Sequence, residues 1–268
     1  MARKSSHPSS LDINIQNGVG IIWMNRPAVR NAVDDVVIAD LTRAFAAMAR
    51  DKAVRAVVLA GHGPAFCAGA DLNWLKRTAG QTRHAHERDA KAMGEMLLAL
   101  DRLSKPTIAR VHGAAVGGGV ALAAACDIAV AGTSASFSLR EVRIGLVAHA
   151  VAPFVVSAIG SHRARRYALT GETIDAAEAY RIGLVHELVQ DTNLDSAINT
   201  MLGHLLQGGP EALKRTKQLL RELDGKPVSA PLLAKAATHF AAEQGSVEAN
   251  EGLRSFLERR KPSWHPET

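Results

Sequence analysis

Two short turns hold the residues of this 268-residue chain that are best suited to stabilise a negative charge. One turn covers residues 112–119 and ends in a triplet of glycines, and the other covers residues 66–72 and includes Gly69. Glycine lets the backbone approach another group closely, and N–H groups at the start of a helix favour an anion. A glycine triplet alone indicates only a tight turn between a strand and a helix. With two such turns, we expect each to supply one N–H group to the same carbonyl oxygen. This arrangement stabilises an oxyanion.

Each turn follows an apolar run that predicts a buried strand, at residues 56–60 and 106–111. The Ala-rich stretch 120–126 predicts a helix that is buried on most of its faces. A strand, a glycine turn and a helix in this order direct several N–H groups, together with the positive end of the helix dipole, to one place.

The rest of the chain predicts strands that alternate with helices. Asn17-Gly18 separates the apolar runs 11–15 and 19–24, which is the pattern of a β-hairpin. Asp34 predicts the N-cap of the helix that follows. The alternation continues to about residue 190 and indicates a βαβ architecture. Beyond it the pattern is wholly helical, with helices expected from Pro210, Pro231 and Ser246.

The composition is that of a globular protein, with 47% hydrophobic and 22% charged residues. Cys67 and Cys126 lie in apolar segments without a metal-ligand pattern, so we expect two free thiols, a reducing compartment and no metal. The net charge is +6, but no basic run occurs and aromatic residues make up only 4%, so nucleic acid is not an expected partner. The positive excess suits a substrate that carries phosphate groups, and scattered surface charge explains it equally well.

No membrane span is expected. Residues 144–161 lack acidic and basic side chains other than histidine, but glycines, a histidine and a proline interrupt them, so a buried loop and helix explain them better. Residues 1–10 are polar and lack the apolar centre of a signal peptide, which predicts a flexible tail. We therefore expect a cytoplasmic protein.

Seven segments resemble, in the same order, those of the crotonase superfamily, the enoyl-CoA hydratases and isomerases. They are NRPAVRNAV, AFCAGADL, KPTIARVHGAAVGGG, ACDIAVA, FSLREVRIGLV, LTGETIDAAEAYRIGLV and EGLRSFLERRKPSW. The resemblance covers roughly residues 11–264. It implies an α/β fold in which ββα units repeat in a spiral over 11–194. A helical region, 195–268, would then assemble homotrimers or hexamers. It also implies an acyl-CoA substrate, with no cofactor besides the CoA of the substrate.

By this resemblance, the N–H groups of Ala70 and Gly118 form the oxyanion hole. Two glutamates perform the general acid–base chemistry in the family members that are fully active on simple enoyl-CoAs. Glu141 stands at the second of these positions. The first is Ala121, which departs from the two-carboxylate pattern.

The resemblance also implies a set of positions that contact the substrate or CoA, namely Ala68, Asp71, Leu72, Gly117, Ala121 and Lys261. His149 departs from the family pattern next to the expected acyl pocket and is a further candidate contact. Lys261 would reach the CoA phosphate of a neighbouring subunit, or is simply an exposed lysine. The loop 26–30 would lie near the CoA nucleotide, or is a surface loop. His149 would carry a second proton or bind a substrate carboxylate, or is a hydrogen-bonded packing residue. A row of apolar residues at helical spacing lines the acyl pocket or the core: Met93, Met96, Leu97 and Leu100.

Three functions fit these residues. We favour a hydratase in which Glu141 alone works through one water, as in the subgroup resembling methylglutaconyl-CoA and carboxygeranoyl-CoA hydratases, which also lacks the first glutamate. Its substrate would be a branched, carboxylated enoyl-CoA of leucine or isoprenoid breakdown, such as 3-methylglutaconyl-CoA. The second is an isomerase with one carboxylate. The third is a CoA-binding or RNA-binding paralogue with little catalysis.

Overall fold

The computed structural model describes residues 10–265 and opens with the expected hairpin. Strands β1 (Leu11–Gln16) and β2 (Val19–Met24) pair antiparallel about Asn17 and Gly18, whose φ angles are 51° and 79°. A two-residue turn with both φ values positive matches the twist of the strands it joins. Ser10, the last residue of the predicted tail, is buried and donates a hydrogen bond to Asp40, whereas residues 1–9 lie outside the described part of the chain.

Two sheets form the centre of the molecule. The larger has the order β1-β2-β3-β4-β6-β9, and its strands from β2 onward are parallel. Its remaining members are β3 (Ala56–Gly61), β4 (Thr107–Val111), β6 (Ile128–Gly132) and β9 (Glu187–Val189). The smaller sheet consists of β5 (Ala114–Val116), β7 (Ser136–Ser138) and β8 (Ile174–Asp175). Strand β5 lies inside residues 112–119, which the sequence predicted as a turn throughout.

Helices cover both faces of the larger sheet. One face packs against α1 (Asp35–Arg50), α3 (Arg83–Asp101) and α4 (Gly118–Ala125) in the main apolar core. Asp34 caps α1 as predicted, since its carboxylate accepts the Val37 N–H at 2.9 Å. Three further helices surround this core: α2 (Leu72–Thr78), α5 (Ala152–Thr170) and α6 (Ala176–Ile182).

The opposite face of the sheet is covered by α7 (Leu194–Gln207), whose Leu194, Ile198 and Leu202 are buried against β2, β3, β4 and β6. The predicted domain boundary at residues 194/195 therefore falls in the first turn of a helix that packs on the sheet. The sequence missed this packing because α7 has the same apolar spacing as the helices that follow it.

The last three helices lie outside this core. They are α8 (Pro210–Leu223), α9 (Ala230–Gln244) and α10 (Val247–Leu257), and they begin close to the three predicted starts. No residue of α8 or α9 is buried. Lys217 of α8 nevertheless reaches the centre of the molecule, where its ammonium lies 2.7 Å from the carboxylate of Asp127.

Both cysteines are buried free thiols, as expected. Burial raises the pKa of Cys67 to about 11 and that of Cys126 to about 12. Within residues 10–265, no helix is both long enough and apolar enough to cross a membrane.

Candidate active site

The two glycine turns lie side by side. Cys67 donates its N–H to the Ala114 carbonyl at 3.0 Å and accepts the Val116 N–H at 2.9 Å, which makes a parallel bridge between the two segments. Both segments continue in the same direction, one to Ala70 and the other to Gly118. Each of these two residues lies three positions beyond the bridge between Cys67 and Ala115.

Two close contacts lock the turns together. A Cβ on Gly69 would lie 2.9 Å from the Val116 carbonyl oxygen, and a Cβ on Gly119 would lie 2.4 Å from that of Cys67. Each turn therefore uses a glycine where the other turn's backbone approaches it, which explains why these positions carry no side chain.

The Ala70 N–H is directed by its neighbours. The Gly69 carbonyl accepts the Val33 N–H at 2.7 Å, and the Asp71 N–H donates to the Val33 carbonyl at 2.9 Å. In a trans peptide the C=O and N–H point in opposite directions, so the Ala70 N–H points away from Val33. It donates to no acceptor among the described residues.

The Gly118 N–H is directed by the start of α4. The Gly117 carbonyl accepts from Val120 at 3.0 Å and from Ala121 at 3.2 Å, so it points along the helix. The Gly118 N–H consequently points out of the N-terminus, where the helix dipole is positive. Like that of Ala70, it has no acceptor in the described part of the chain. Two free donors thus stand in adjacent turns, as an oxyanion hole requires.

Glu141 lies against this pair of turns. It begins the 3₁₀ turn Glu141–Ile144 after β7, and a Cβ on Gly117 would lie only 2.7 Å from its Oε1 atom. Its Oε2 atom is buried without a hydrogen-bond partner among residues 10–265. Burial raises the pKa of this carboxyl, against the opposing effect of its own backbone N–H. A carboxylate in this condition is suited to take up and return a proton.

Glu141 forms no ion pair with its basic neighbours in the sequence, Arg140 and Arg143. Arg140 instead donates to the Thr173 hydroxyl at 3.1 Å, and the guanidinium of Arg143 packs at Gly171. Glu141 is therefore left without a counter-ion in the described structure.

Ala121 occupies the position of the first glutamate in the two-carboxylate pattern, and Met93 belongs to the predicted apolar row. Ala121 is fully buried in α4, where an acidic side chain stands in the two-carboxylate pattern. Met93 of α3 extends to the hole, since a Cβ on Gly118 would lie 2.7 Å from its methyl carbon. The other members of the predicted apolar row, Met96, Leu97 and Leu100, are fully buried in the core.

The remaining predicted contact residues differ in their placement. Ala68 is half-buried and donates its N–H to the Arg30 carbonyl at 2.9 Å. Leu72, next to the Ala70 turn, is 72% exposed. The carboxylate of Asp71 has a structural role. This residue is only 4% exposed, and its carboxylate accepts the Asn73 and Trp74 N–H groups as the N-cap of α2.

His149 and Lys261 are both exposed, and the side chain of neither forms a hydrogen bond or ion pair with a described residue. This contradicts the interpretation of His149 as a hydrogen-bonded packing residue. Lys261 lies beyond α10, and the structure places it in no contact with the two turns or Glu141. In the described residues, no group of His, Cys, Asp or Glu side chains is arranged to hold a metal ion.

Known proteins resemble this chain over almost its full length. The sequence model of one family, enoyl-CoA hydratase/isomerase, matches residues 14–267. The chain is 31% identical to 2,3-dehydroadipyl-CoA hydratase of Escherichia coli K12, across 96% of this chain and 98% of that protein. It is also 31% identical to (E)-benzylidenesuccinyl-CoA hydratase of Thauera aromatica, across 94% and 97%. Among solved structures, an enoyl-CoA hydratase from Shewanella pealeana ATCC 700345 superimposes with a TM-score of 0.92 at 34% identity, across 95% of this chain and 96% of that one.

Proposed function

Because this chain belongs to the enoyl-CoA hydratase/isomerase family, we propose that it is a hydro-lyase acting on the α,β double bond of an acyl-CoA thioester, with Glu141 as the carboxylate that moves protons. The crotonase-superfamily resemblance and the α/β fold expected from the sequence are confirmed. One observation supports the assignment of Glu141 above the others. Its buried Oε2 atom has no partner in the described residues, beside two N–H donors that also have none.

The reaction follows from these three groups. Glu141 takes a proton from water while the hydroxyl oxygen bonds to the β-carbon, and the π electrons move to the thioester oxygen. The N–H groups of Ala70 and Gly118 stabilise the resulting oxyanion, and each such donor contributes roughly 3–4 kcal/mol in well-studied enzymes. Glu141 then returns the proton to the α-carbon as the carbonyl re-forms. One carboxylate serves both steps, so a second at position 121 is not required.

We further propose a branched, carboxylated enoyl-CoA as the substrate class, with 3-methylglutaconyl-CoA as the example to test. Two of the relatives are named for acyl groups that carry a second carboxylate, dehydroadipyl and benzylidenesuccinyl. The unpartnered imidazole of His149 is the candidate group to bind this carboxylate, and Met93 the candidate apolar wall at the hole.

The test compares crotonyl-CoA with 3-methylglutaconyl-CoA by the loss of the enone absorbance. Glu141→Gln keeps the size of the side chain but cannot take the proton, and Glu172→Gln, an exposed carboxylate paired with Arg166, is the matched control. We expect turnover of the carboxylated substrate that survives Glu172→Gln and is lost in Glu141→Gln. Turnover of neither substrate by the wild type would contradict this assignment and leave isomerisation and CoA binding without catalysis as the alternatives.

The single carboxylate also favours a second function, the isomerisation of a 3-enoyl-CoA to a 2-enoyl-CoA. Glu141 would remove a proton from the α-carbon and return it to the γ-carbon, and Ala121 leaves no second carboxylate to activate water. Incubation with 3-enoyl-CoA in D₂O distinguishes the two. Given 3-enoyl-CoA, an isomerase forms the conjugated 2-enoyl-CoA and no 3-hydroxyacyl-CoA. The hydratase we propose instead forms 3-hydroxyacyl-CoA when it is given 2-enoyl-CoA.

We also propose that α8–α10 assemble the chain into a homotrimer or hexamer. Large apolar side chains on α9 and α10 are exposed, including Phe240, Val247 and Phe256 at 63%, 88% and 78%. Monomeric proteins rarely expose contiguous apolar surface of this kind. The mass measured by light scattering after size exclusion tests this. A mass of one 28.4 kDa chain would refute the assembly.

A further inference from the structure

A buried ion-pair cluster lies directly behind one of the two oxyanion donors. The Nη2 atom of Arg26 lies 3.0 Å from the Asp71 carboxylate and 3.1 Å from the Asp34 carboxylate. Its Nη1 atom donates to the Ala32 carbonyl at 2.6 Å. The side chains of Arg26, Asp34 and Asp71 are 26%, 15% and 6% exposed, so this cation joins two largely desolvated carboxylates.

Each carboxylate is fixed at its other oxygen. The Oδ1 atom of Asp71 caps α2 by accepting the Asn73 N–H at 2.8 Å, and the Oδ1 atom of Asp34 caps α1 by accepting the Val37 N–H at 2.9 Å. Arg26 therefore ties the N-termini of two helices together through side chains that are themselves anchored to backbone.

Asp71 is the residue that follows Ala70, so its position determines that of the Ala70 peptide. The segments 30–33 and 68–71 run parallel and are joined by three backbone hydrogen bonds of 2.7–2.9 Å. Arg26 holds both segments, since it binds the Ala32 carbonyl in one and the Asp71 carboxylate in the other. Nothing else described in the structure offers Asp71 a positive charge.

We propose that Arg26 is a positioning residue for the oxyanion hole, which acts by holding Asp71 and thereby the orientation of the Ala70 N–H. This rests on the proposed function of the hole. In this role Arg26 acts through Asp71 and not on the substrate itself. Without Arg26, the carboxylates of Asp34 and Asp71 face one another with no cation between them. The two negative charges then repel. Asp71 must then move or take up a proton, and either change loosens the turn that carries the donor.

The consequence falls on the reaction rather than on binding. The hole stabilises charge that develops only after the substrate is bound, so a misplaced donor lowers kcat more than it raises KM. Removing a donor outright costs roughly 10²–10³ in kcat, and a displaced donor costs less. We therefore expect Arg26→Gln to lower kcat by about 10- to 100-fold with KM changed less than about threefold.

The matched control is Arg77→Gln. Arg77 of α2 pairs with Asp35 of α1, so it joins the same two helices as the Arg26 cluster. Both members of this pair are more than half exposed, in contrast to the Arg26 cluster. We expect Arg77→Gln to leave kcat and KM unchanged, because exposed ion pairs contribute little to stability.

A second variant protects the experiment against misfolding. Asp34→Asn retains the oxygen that caps α1 but weakens the attraction to Arg26. We expect kcat to fall by a smaller factor than in Arg26→Gln, with circular dichroism like that of the wild type. Arg26→Lys keeps a cation but not the three-way contact, and we expect it to restore part of the kcat lost in Arg26→Gln.

The direct readout is the infrared carbonyl stretch of bound butanoyl-CoA labelled with ¹³C at the thioester carbon. This saturated thioester cannot react, so its carbonyl frequency reports the strength of the hole alone. We expect a shift to lower frequency in the wild type and in Arg77→Gln, and a reduced shift in Arg26→Gln and Asp34→Asn.

Each outcome separates this inference from the proposed function. If the wild type hydrates enoyl-CoA but the carbonyl shift is the same in Arg26→Gln, the positioning role is refuted and the function stands. If the wild type shifts the carbonyl and Arg26→Gln does not, yet no enoyl-CoA is hydrated, the positioning role stands and the function is refuted. If the wild type gives no shift at all, the oxyanion hole and the positioning role of Arg26 are refuted, and the hydration assay alone decides the proposed function.

Discussion

Gly117→Ala should disable the site by displacing Glu141 and by straining the peptide that carries the Gly118 N–H, without replacing either group. Gly117 has φ 50° and ψ −110°, a combination that suits only glycine, so any Cβ there adds strain of about 1–3 kcal/mol. The new Cβ would also lie 2.7 Å from the Glu141 Oε1 atom. To reach an ordinary contact distance of about 3.4 Å, the carboxylate must retreat by roughly 0.7 Å.

A displacement of this size has a large effect on rate. A misplacement of about 1 Å at a reacting group costs on the order of 100-fold, so we expect kcat to fall by roughly 10- to 100-fold in Gly117→Ala. The assay is hydration of the enoyl-CoA that the wild type turns over, at saturating substrate, with the melting temperature measured in parallel.

Gly183→Ala is the matched control for backbone strain. Gly183 also has a positive φ, 86°, but a Cβ there would meet no atom within 4 Å. Since Gly183 lies in the left-handed region and Gly117 does not, we expect Gly183→Ala to lose less stability than Gly117→Ala and to lose no rate. Equal activity in the two variants, or a kcat of Gly117→Ala within twofold of the wild type, would refute the placement of Glu141 against Gly117.

Three other predictions use different parts of the molecule. Burial raises the pKa of Glu141, and only the ionised carboxylate acts as the base. The fall of kcat toward acid should therefore begin at a higher pH than the usual pKa of a glutamate would give. The raised pKa also stabilises the folded protein at pH values below the ordinary pKa of a glutamate. This stabilisation is lost as the pH rises through the pKa that Glu141 has in the folded protein. Glu141→Gln should therefore melt at or above the wild-type temperature at neutral pH, with the gain absent in acid; a lower melting temperature at both pH values would contradict this. Lys217→Met should lower the free energy of unfolding by about 1–3 kcal/mol in urea titrations, because it leaves Asp127 without its cation. An unchanged urea midpoint would show that the Lys217–Asp127 pair does not stabilise the fold. Cys67 and Cys126 should react with a thiol reagent only on unfolding, since burial holds them protonated; rapid labelling of the native protein would contradict their environment.

Local patterns in the sequence were sufficient for the elements that depend on neighbouring residues. The Asn17-Gly18 hairpin, the Asp34 cap and the helix after the glycine triplet all match the structure. Each is specified within a few residues by turn geometry, a capping carboxylate or helix propensity. The two turns were recognised for the same reason.

Features that depend on distant residues were not recognised. Strand β5 has only three residues and exists through its pairing with β7, some twenty residues further on. The ion pair of Asp71 with Arg26 was not predicted, because Arg26 lies 45 residues earlier in the chain. Met93 could not be separated from Met96 by spacing alone, because which of them meets Gly118 depends on how α3 packs against α4.

The close glycine contacts between the two turns divide the site into positions that tolerate no larger residue and positions that can be substituted. At Gly69 and Gly119 even one methyl group would collide with the backbone of the facing turn, so the spacing of the two donors is closed to variation by substitution. Side chains such as Leu72 and His149 face no such restriction, since both are exposed. A chain built in this way can acquire a new acyl preference by ordinary point mutation while the machinery that bears the negative charge stays the same.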